Sequence, residues 1–384
     1  MPSLRSHNSA LVLDLLRTAG EGGISRLELA ESTGLTPQAV SKITARLRAE
    51  GLAAGAGQRA STGGKPRTVL RLVPAAAHAV GLHLDRDELT AVVVDLAGTT
   101  VASRTVPFDL GAGAAEVVGT AAEQVESVRV DAAALRPNDP GTGPAGSPDP
   151  SPGRSPAAAP GRLLGVGVAM PGPLDHTTGV LQRVTGFPKW DGFPLRDALA
   201  ARLGLPVVLD KDTNAAALGL ALRAPGDSFA YLHLGTGLGA GLVLGGALYR
   251  GERTGAGEFG HQVIQLDGPP CDCGNRGCIE ALCLAAVARG DLAEAARVLG
   301  AGAANLVGLL DIDRVLLGGR AVAAAREQFV TGVGAVLEER ARGPFVPVVP
   351  ADCGTHPVAE GAAQLVLAPV FGHARVFGRG LPGR

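Results

Sequence analysis

The chain has 384 residues, 46% of them hydrophobic and only 3% aromatic, and carries a net charge of −1. That length supports two or three domains with sizeable cores, and a charge this close to neutral argues against a uniformly basic nucleic-acid binder. The amino-terminal end lacks an apolar h-region and the uncharged stretch 228–249 is broken by six glycines, so export and a membrane helix are disfavoured and a cytoplasmic location is expected.

The charge is unevenly spread. Residues 1–74 hold ten basic side chains against five acidic ones, an asymmetry that marks a nucleic-acid-facing module. Residues 8–17 place Leu11, Leu15 and Leu16 at helical spacing with Ser9 available as a cap. A second helix is expected over 24–31, with Leu27 and Ala30 on one face. The turn Ser32-Thr33-Gly34-Leu35 supplies the glycine common in helix-turn-helix corners. A new helix then begins where Thr36 caps and Pro37 takes the first helical position. Val40, Ile43 and Leu47 form its buried stripe, which turns Gln38, Ser41, Lys42, Ala45 and Arg46 outward. Thr36, Gln38, Ser41, Lys42 and Arg46 are therefore candidate contacts to base edges and phosphates in a major groove. Residues 58–72 read as two short strands around the loop 61–67, and Arg59, Lys65 and Arg67 on this hairpin would lie against phosphates or in the minor groove. Such a unit, over 1–74, is a winged helix-turn-helix. Helix-turn-helix geometry alone also suits a small protein-binding domain, but capped helix, corner glycine, basic hairpin and local positive charge together favour double-stranded DNA.

From Ala79 the pattern changes to apolar runs. Residues 80–84 and 89–96 suit paired strands, the second ending in a turn at 95–98, and the Ala-rich 114–135 has helical period. Residues 136–162 collect prolines, glycines and serines, and cannot bury enough apolar surface to offset their ordering entropy. They are expected to be a disordered insertion rather than a domain boundary, because the strand-like 163–170 resumes the same fold. A strand over 205–209 leads into Asp210-Lys211-Asp212-Thr213-Asn214, which opens a helix. Asp212 there suits an N-cap, and the adjacent Lys211 cation is expected to pair with it and lower its pKa. Strands at 229–234 and 241–244 flank a Gly-rich turn whose amides can cradle phosphate, although any tight hairpin needs glycine.

The stretch 257–280, GEFGHQVIQLDGPPCDCGNRGCIE, is the most specific in the chain. His261, Cys271, Cys273 and Cys278 are the ligand types Zn²⁺ prefers, and one His with three Cys gives the closed tetrahedral shell of a structural site. Gly274 and Gly277 let the backbone turn back between the thiolates. Glu258 and Glu280 flank the set, where carboxylates at fixed spacing would suit a sugar's hydroxyls. Disulfides are the rival reading; Cys271 and Cys273 are too near to pair without strain. Cys283 and Cys353 are expected to be small buried thiols.

The run CxCGxxGCxE over 271–280, preceded by a GE-x-GH, resembles the zinc signature of the ROK family, whose sugar kinases and transcriptional repressors share one fold. The winged helix-turn-helix resembles the N-terminal module of ROK repressors, which the kinases lack. The resemblance implies an α/β chain: a winged helix-turn-helix followed, over 79–384, by a two-lobed ribonuclease-H-like domain of the actin and hexokinase type. The strand-and-loop pattern near Val80 and again near Phe229 fits two such lobes closing over a crevice. Pro171-Gly172-Pro173, the segment 187–192 and the run 315–319 match further parts of the family's pattern. By resemblance Asp212 matches the kinases' catalytic base, and Glu258, His261 and Glu280 are ligand-binding positions.

Departures from the family's pattern cluster at the crevice. Its D-x-G-G-T phosphate loop is His83-Leu84-Asp85-Arg86-Asp87 here, which would turn carboxylates toward a triphosphate. Its sugar-contacting Asn residues are replaced by Gly186 and Lys211, Arg320 stands where a small residue is usual, and the chain between Glu280 and Val315 is shorter. The expected protein is thus a transcriptional repressor without kinase activity. It would bind operator DNA as a homodimer or dimer of dimers, respond to a sugar or sugar phosphate, and carry structural zinc. An ATP-dependent sugar kinase with a DNA-binding arm, and a regulator with no small-molecule effector, are the alternatives.

Overall fold

The structure, a computed structural model, describes residues 7–59, 67–135, 161–223, 226–340, 343–351 and 354–373. Helix α1 (His7–Thr18) buries Val12, Leu13 and Leu16. The helix expected from Ile24 starts later, because Ile24–Ser25 form a short strand, β1, and Ser25 caps helix α2 (Arg26–Thr33). The cap is a reciprocal box: the Glu28 amide donates to Ser25 Oγ at 3.3 Å and the Ser25 amide donates to Glu28 Oε2 at 2.7 Å. This start turns Leu29 and Ala30 inward and leaves Leu27 44% exposed, so Ala30 keeps the expected face and Leu27 does not. Helix α3 (Pro37–Ala49) begins as expected, with Thr36 Oγ1 accepting the Ala39 amide at 3.2 Å. Strands β2 (Ala53–Arg59) and β3 (Arg67–Leu72) form an antiparallel hairpin, with Arg59 opposite Arg67 and β1 on the far side of β3. The hairpin tip, including Lys65, lies outside the described residues.

Beyond the hairpin the chain builds two five-stranded sheets. The first contains β4 (Ala77–Leu84), β5 (Glu88–Asp95), β6 (Thr100–Pro107), β7 (Arg162–Met170) and, after the short ribbon β8 (Leu174–Asp175) and β9 (Val180–Leu181), β10 (Val207–Lys211). The second contains β11 (Phe229–Leu234), β12 (Leu238–Leu244), β13 (Ala247–Tyr249), β14 (Arg314–Gly318) and β15 (Val348–Pro350). Their spatial orders are β6-β5-β4-β7-β10 and β13-β12-β11-β14-β15. Within each sheet the order is third, second, first, fourth, fifth, with an antiparallel meander followed by two parallel strands. Repetition of one topology is what a two-lobed ribonuclease-H-like domain requires, as expected.

Helices α4 (Ala114–Ala134) and α5 (Leu195–Leu203) cover the first sheet; α7 (Ile279–Ala288), α8 (Leu292–Leu310) and α10 (Arg326–Arg340) cover the second, with the one-turn α9 (Arg320–Ala324) after β14. Helix α8 is apolar and long enough to cross a bilayer; its Ala295, Val298, Leu299 and Ala303 are buried in the second lobe's core. Between the sheets lie α6 (Asp212–Ala221) and α11 (Pro357–Leu367). They cross so closely that a Cβ on Gly361 would sit 2.0 Å from the Ala215 carbonyl oxygen. The other face of α11 belongs to a core shared with the amino-terminal unit: Leu13, Leu16, Leu29 and Leu47 cluster with Val92, Val94, Leu367 and Phe371. Arg17 stacks over the Phe371 ring at 5.1 Å, and His373 meets Asp14 at 3.0 Å. Of the proposed insertion 136–162, Arg162 already opens β7, and 136–160 lies outside the described residues. The strand expected over 205–209 occupies 207–211, and the Pro206 carbonyl just ahead of it accepts the Val166 amide.

Candidate functional site

On the amino-terminal unit, α3 buries Val40, Thr44 and Leu47, and leaves Gln38, Ser41, Lys42 and Ala45 exposed on the opposite face. Thr36 is exposed, its hydroxyl engaged as the cap. Arg46 is exposed but ties back, donating through Nη2 to Ser9 Oγ of α1. Arg67 is exposed on β3, and Arg59 is its backbone partner on β2. The sequence alone directs Arg46 wholly toward DNA; its partner on α1 is too distant in sequence to signal otherwise.

The crevice between the lobes holds a cavity of about 60 Å³ walled by Asp85, Lys211, Asp212, Glu258, His261 and Glu280. Thus the four residues expected to bind ligand, Asp212, Glu258, His261 and Glu280, do converge. The loop reaches this wall because Gly257 has φ +85°, and a Cβ there would lie 2.0 Å from the Ala240 carbonyl oxygen. Glu280 is buried and accepts the Leu238 amide at 2.7 Å, so one oxygen braces the Gly-rich turn of the β11–β12 hairpin.

Lys211 behaves differently from expectation. It is buried at the end of β10, and its Nζ donates to the Ala256 carbonyl at 3.1 Å and to Glu258 Oε1 at 3.2 Å rather than pairing with Asp212. Sequence neighbours at a strand-to-helix corner point apart. Asp212 is not the N-cap either: Lys211 occupies that position, and Asp212 Oδ1 accepts the Thr213 amide at 2.6 Å within the first turn. Burial raises the Asp212 carboxyl to about 7, assisted by Asp85 and Glu258, and the Lys211 charge opposes this without winning. The expected lowering by Lys211 is therefore overturned: desolvation disfavours the charged form more strongly. Because the folded pKa exceeds the unfolded value of 3.8, the stabilisation from Asp212 is complete below that value and is lost as pH climbs toward 7. Asp212→Asn should flatten this loss and be about 4 kcal/mol more stable than wild type at pH 8 in urea unfolding. Equal pH profiles for the two proteins would refute the assignment.

A buried network missed in the sequence holds this corner. Asp210 receives Arg250 through Nε at 2.8 Å and Nη2 at 2.6 Å, and its other oxygen accepts the Lys211 amide at 2.8 Å and Asn214 Nδ2 at 2.9 Å.

Asp85 and Asp87 do not stand as free carboxylates. Arg320 Nη2 reaches Asp85 Oδ2 at 3.2 Å and Asp87 Oδ1 at 2.6 Å, and Thr236 Oγ1 donates to Asp85 Oδ1 at 2.8 Å. Burial alone would raise the Asp85 carboxyl, but His83, Thr236, the Arg86 amide and Arg320 outweigh it and hold it below the ordinary range. Behind this group lies a second cavity of about 310 Å³, lined in part by His83, Tyr231, His233 and His356. Burial pushes His83 down to about 4 and also lowers His233, whose Nδ1 lies 2.8 Å from the Tyr231 hydroxyl.

Next to the smaller cavity, one nitrogen of His261 and the sulfurs of Cys271, Cys273 and Cys278 all lie within 4.8 Å of one another, an arrangement that could hold a metal ion. Cys271, Cys273, Cys278 and Cys283 are all free, so the disulfide reading fails among the described residues. Gly274 and Gly277 have φ +94° and +65°, as the turn between the thiols demands. Cys283 is a buried thiol 3.6 Å from the Ala295 carbonyl, and Cys353 lies outside the described residues.

Comparison with known proteins agrees with this architecture. The ROK family pattern matches residues 155–289, and a winged helix-turn-helix DNA-binding pattern matches 11–53. The xylose repressor of Bacillus subtilis is 27% identical over 260 residues, 67% of this chain and 61% of that protein. A glucokinase of Thermotoga maritima is 41% identical over 132 residues, 34% of this chain and 42% of that one. The chain thus spans less than two thirds of either relative. A crystal structure of a ROK family transcriptional regulator, a homologue of an Escherichia coli Mlc protein, superposes with a TM-score of 0.72 over 97% of this chain and 99% of that one, at 20% identity, and supports the fold. The chain thus carries a ROK family domain, matched over 155–289, behind an N-terminal winged helix-turn-helix matched over 11–53.

Proposed function

We propose that this protein is a sugar-responsive transcriptional repressor: residues 1–74 bind operator DNA, and 79–384 form an effector domain without kinase activity. The observation that carries the reading is the exposed Gln38, Ser41 and Lys42 face of α3, on a unit whose core is continuous with the ROK domain. Thr36, Arg46, Arg59, Lys65 and Arg67 complete the DNA-facing set. Asp212, Glu258, His261 and Glu280 would take the hydroxyls of a sugar or sugar phosphate. A homodimer or dimer of dimers in the cytoplasm would present two such heads, and half-site spacing would follow from its symmetry. Control requires that the effector bind the DNA-free and DNA-bound conformations with different affinity.

Zinc is the metal that the donor set fits. For Zn–S distances of about 2.3 Å, the edge of a tetrahedron is about 3.8 Å. Cys273 and Cys278 have their sulfurs 3.7 Å apart, and Cys271 Sγ lies 3.7 Å from His261 Nδ1. With Nδ1 toward the ion, the Nε2–H of His261 faces Thr185 Oγ1 at 3.3 Å on the cavity side, so one imidazole would serve both the ion and a ligand. The bound cation would hold the thiolates ionised and the loop in shape.

A sugar kinase is the second reading, favoured by the Asp212 position and by the glucokinase match. Against it stands the Arg320 pairing with Asp85 and Asp87.

Fluorescence anisotropy with labelled DNA from the gene's own upstream region, at two salt concentrations and with a sugar panel, tests the proposal. Lys42→Ala should weaken binding on all sequences and reduce the log–log salt slope by about 1, whereas Gln38→Ala should cost about 1–3 kcal/mol on the specific site only. One sugar should release the DNA. Only weak, sequence-independent binding would overturn the repressor reading, and ATP-dependent phosphorylation of a sugar would replace it with the kinase.

A further inference from the structure

Apart from the core that α6 and α11 share between the sheets, each lobe has its own apolar core, one built around Val80, Leu82 and Val168 and the other around Leu232, Leu234 and Phe329. Where their loops meet at the crevice mouth, the contact is ionic. Asp85 and Asp87 lie in the turn between β4 and β5 of the first lobe; Arg320 opens α9, and Thr236 lies between β11 and β12, in the second. One guanidinium spans both carboxylates, Asp85 Oδ2 at 3.2 Å and Asp87 Oδ1 at 2.6 Å, and the Thr236 hydroxyl crosses the same gap to Asp85 Oδ1 at 2.8 Å. Side-chain exposure falls from 58% at Asp87 and 48% at Arg320 to 14% at Asp85, so the group runs from solvent into the crevice. Asp85 lines both cavities, and the bridged group therefore stands between them.

We propose that Arg320, Asp85 and Asp87 form an interlobe latch that keeps the crevice closed in the ligand-free protein. Two negative groups on one loop repel each other unless a cation neutralises them, so the first lobe's turn depends on the second lobe's arginine. Opening the crevice by rigid-body movement breaks both ion pairs and the Thr236 bond in one step. Asp87 and Arg320 are solvent-exposed, so salt weakens the latch from outside. This inference goes beyond the effector reading and does not need a sugar to be correct.

Hydrogen–deuterium exchange of the full-length, zinc-loaded protein without any sugar or DNA provides the test. Arg320→Ala should raise exchange about fivefold in both 84–88 and 235–239, which lie on different lobes, while the zinc loop 271–278 stays as protected as in wild type. Asp87→Ala, which leaves the Asp85 pair, should raise it about twofold. The charge exchange Asp87→Arg with Arg320→Asp should restore protection relative to Arg320→Asp alone, and raising the salt concentration should reproduce the Arg320→Ala pattern in wild type. Unchanged exchange in Arg320→Ala, or a rise confined to one lobe, would overturn the latch. If Arg320→Ala fails to fold, Asp87→Ala and the salt series decide by the same criteria.

Discussion

Replacing Cys273 with serine is expected to abolish metal binding and to loosen the loop 257–278 and the cavity wall it carries. Phe259 at its start is buried in the second lobe's core and Ile264 packs against it, but Leu266 is 86% exposed and Val263 42% exposed. Its backbone is tied by a few bonds, among them Ile264 to Gly277 at 3.0 Å, Cys271 to Asn275 at 2.9 Å and Gly277 to Pro269 at 2.8 Å. Glycine is needed at 277, where a Cβ would meet the Gln265 carbonyl oxygen at 1.6 Å. Burial and the neighbouring sulfurs push the Cys278 thiol up to about 12, and burial also raises Cys271. Thiolates packed this closely are held together only by a cation, so metal binding expels protons and the bound ion contributes directly to folding. Elemental analysis should find about one zinc per wild-type chain, the complement of one closed four-ligand site, and none in Cys273→Ser. The melting temperature should fall by about 4 °C, corresponding to about 3 kcal/mol for a chain of this size. Chelation of wild type should produce the same fall, and zinc should reverse it. A serine variant that retains stoichiometric zinc and the wild-type melting temperature would show that the cluster is not a metal site.

Legibility tracks sequence distance and the order in which chemistry is written along the chain. The His/Cys cluster is readable because Cys271, Cys273 and Cys278 sit in one turn, with His261 just ahead of them. The recognition helix is readable because its cap, its first proline and its buried stripe are all local. The Ser25–Glu28 box is equally local, yet the apolar Ile24 draws the expected helix start forward, and Leu27 is expected inward as a result. Partners distant in sequence are unreadable. Lys211 looks like the partner of its neighbour Asp212 and in fact pairs with Glu258, and Asp210 finds Arg250 just past β13 of the other sheet. Asp85, Asp87 and Arg320 look like separate losses from a phosphate site, but the fold brings them together as complementary charges. Substitutions that each erode a site on paper can be one contact, which only the arrangement of the two lobes exposes.

The largest single-residue cost is expected at Arg250. Its side chain is 5% exposed and that of Asp210 is 2% exposed, so neither charge is hydrated. Two guanidinium nitrogens, at 2.8 and 2.6 Å, satisfy one oxygen of Asp210, and the Lys211 amide and Asn214 satisfy the other. Arg250→Ala leaves the carboxylate buried without its cation and should destabilise the protein by about 3–5 kcal/mol, well beyond the cost of losing an exposed pair. Asp210→Asn in the same background removes the stranded charge but keeps an oxygen that can accept the Lys211 amide. The double variant should therefore be more stable than Arg250→Ala alone, and a double-mutant cycle in urea should give a coupling of about 2 kcal/mol or more. The consequence extends to the crevice, because the Lys211 amide held by Asp210 fixes the corner from which Asp212 starts α6. Loss of stability in Arg250→Ala should be accompanied by weaker sugar binding, even under conditions where the variant remains folded. A cost below about 1 kcal/mol, the range of an exposed pair, would mean that water reaches Asp210 and that the corner is held by its backbone bonds instead.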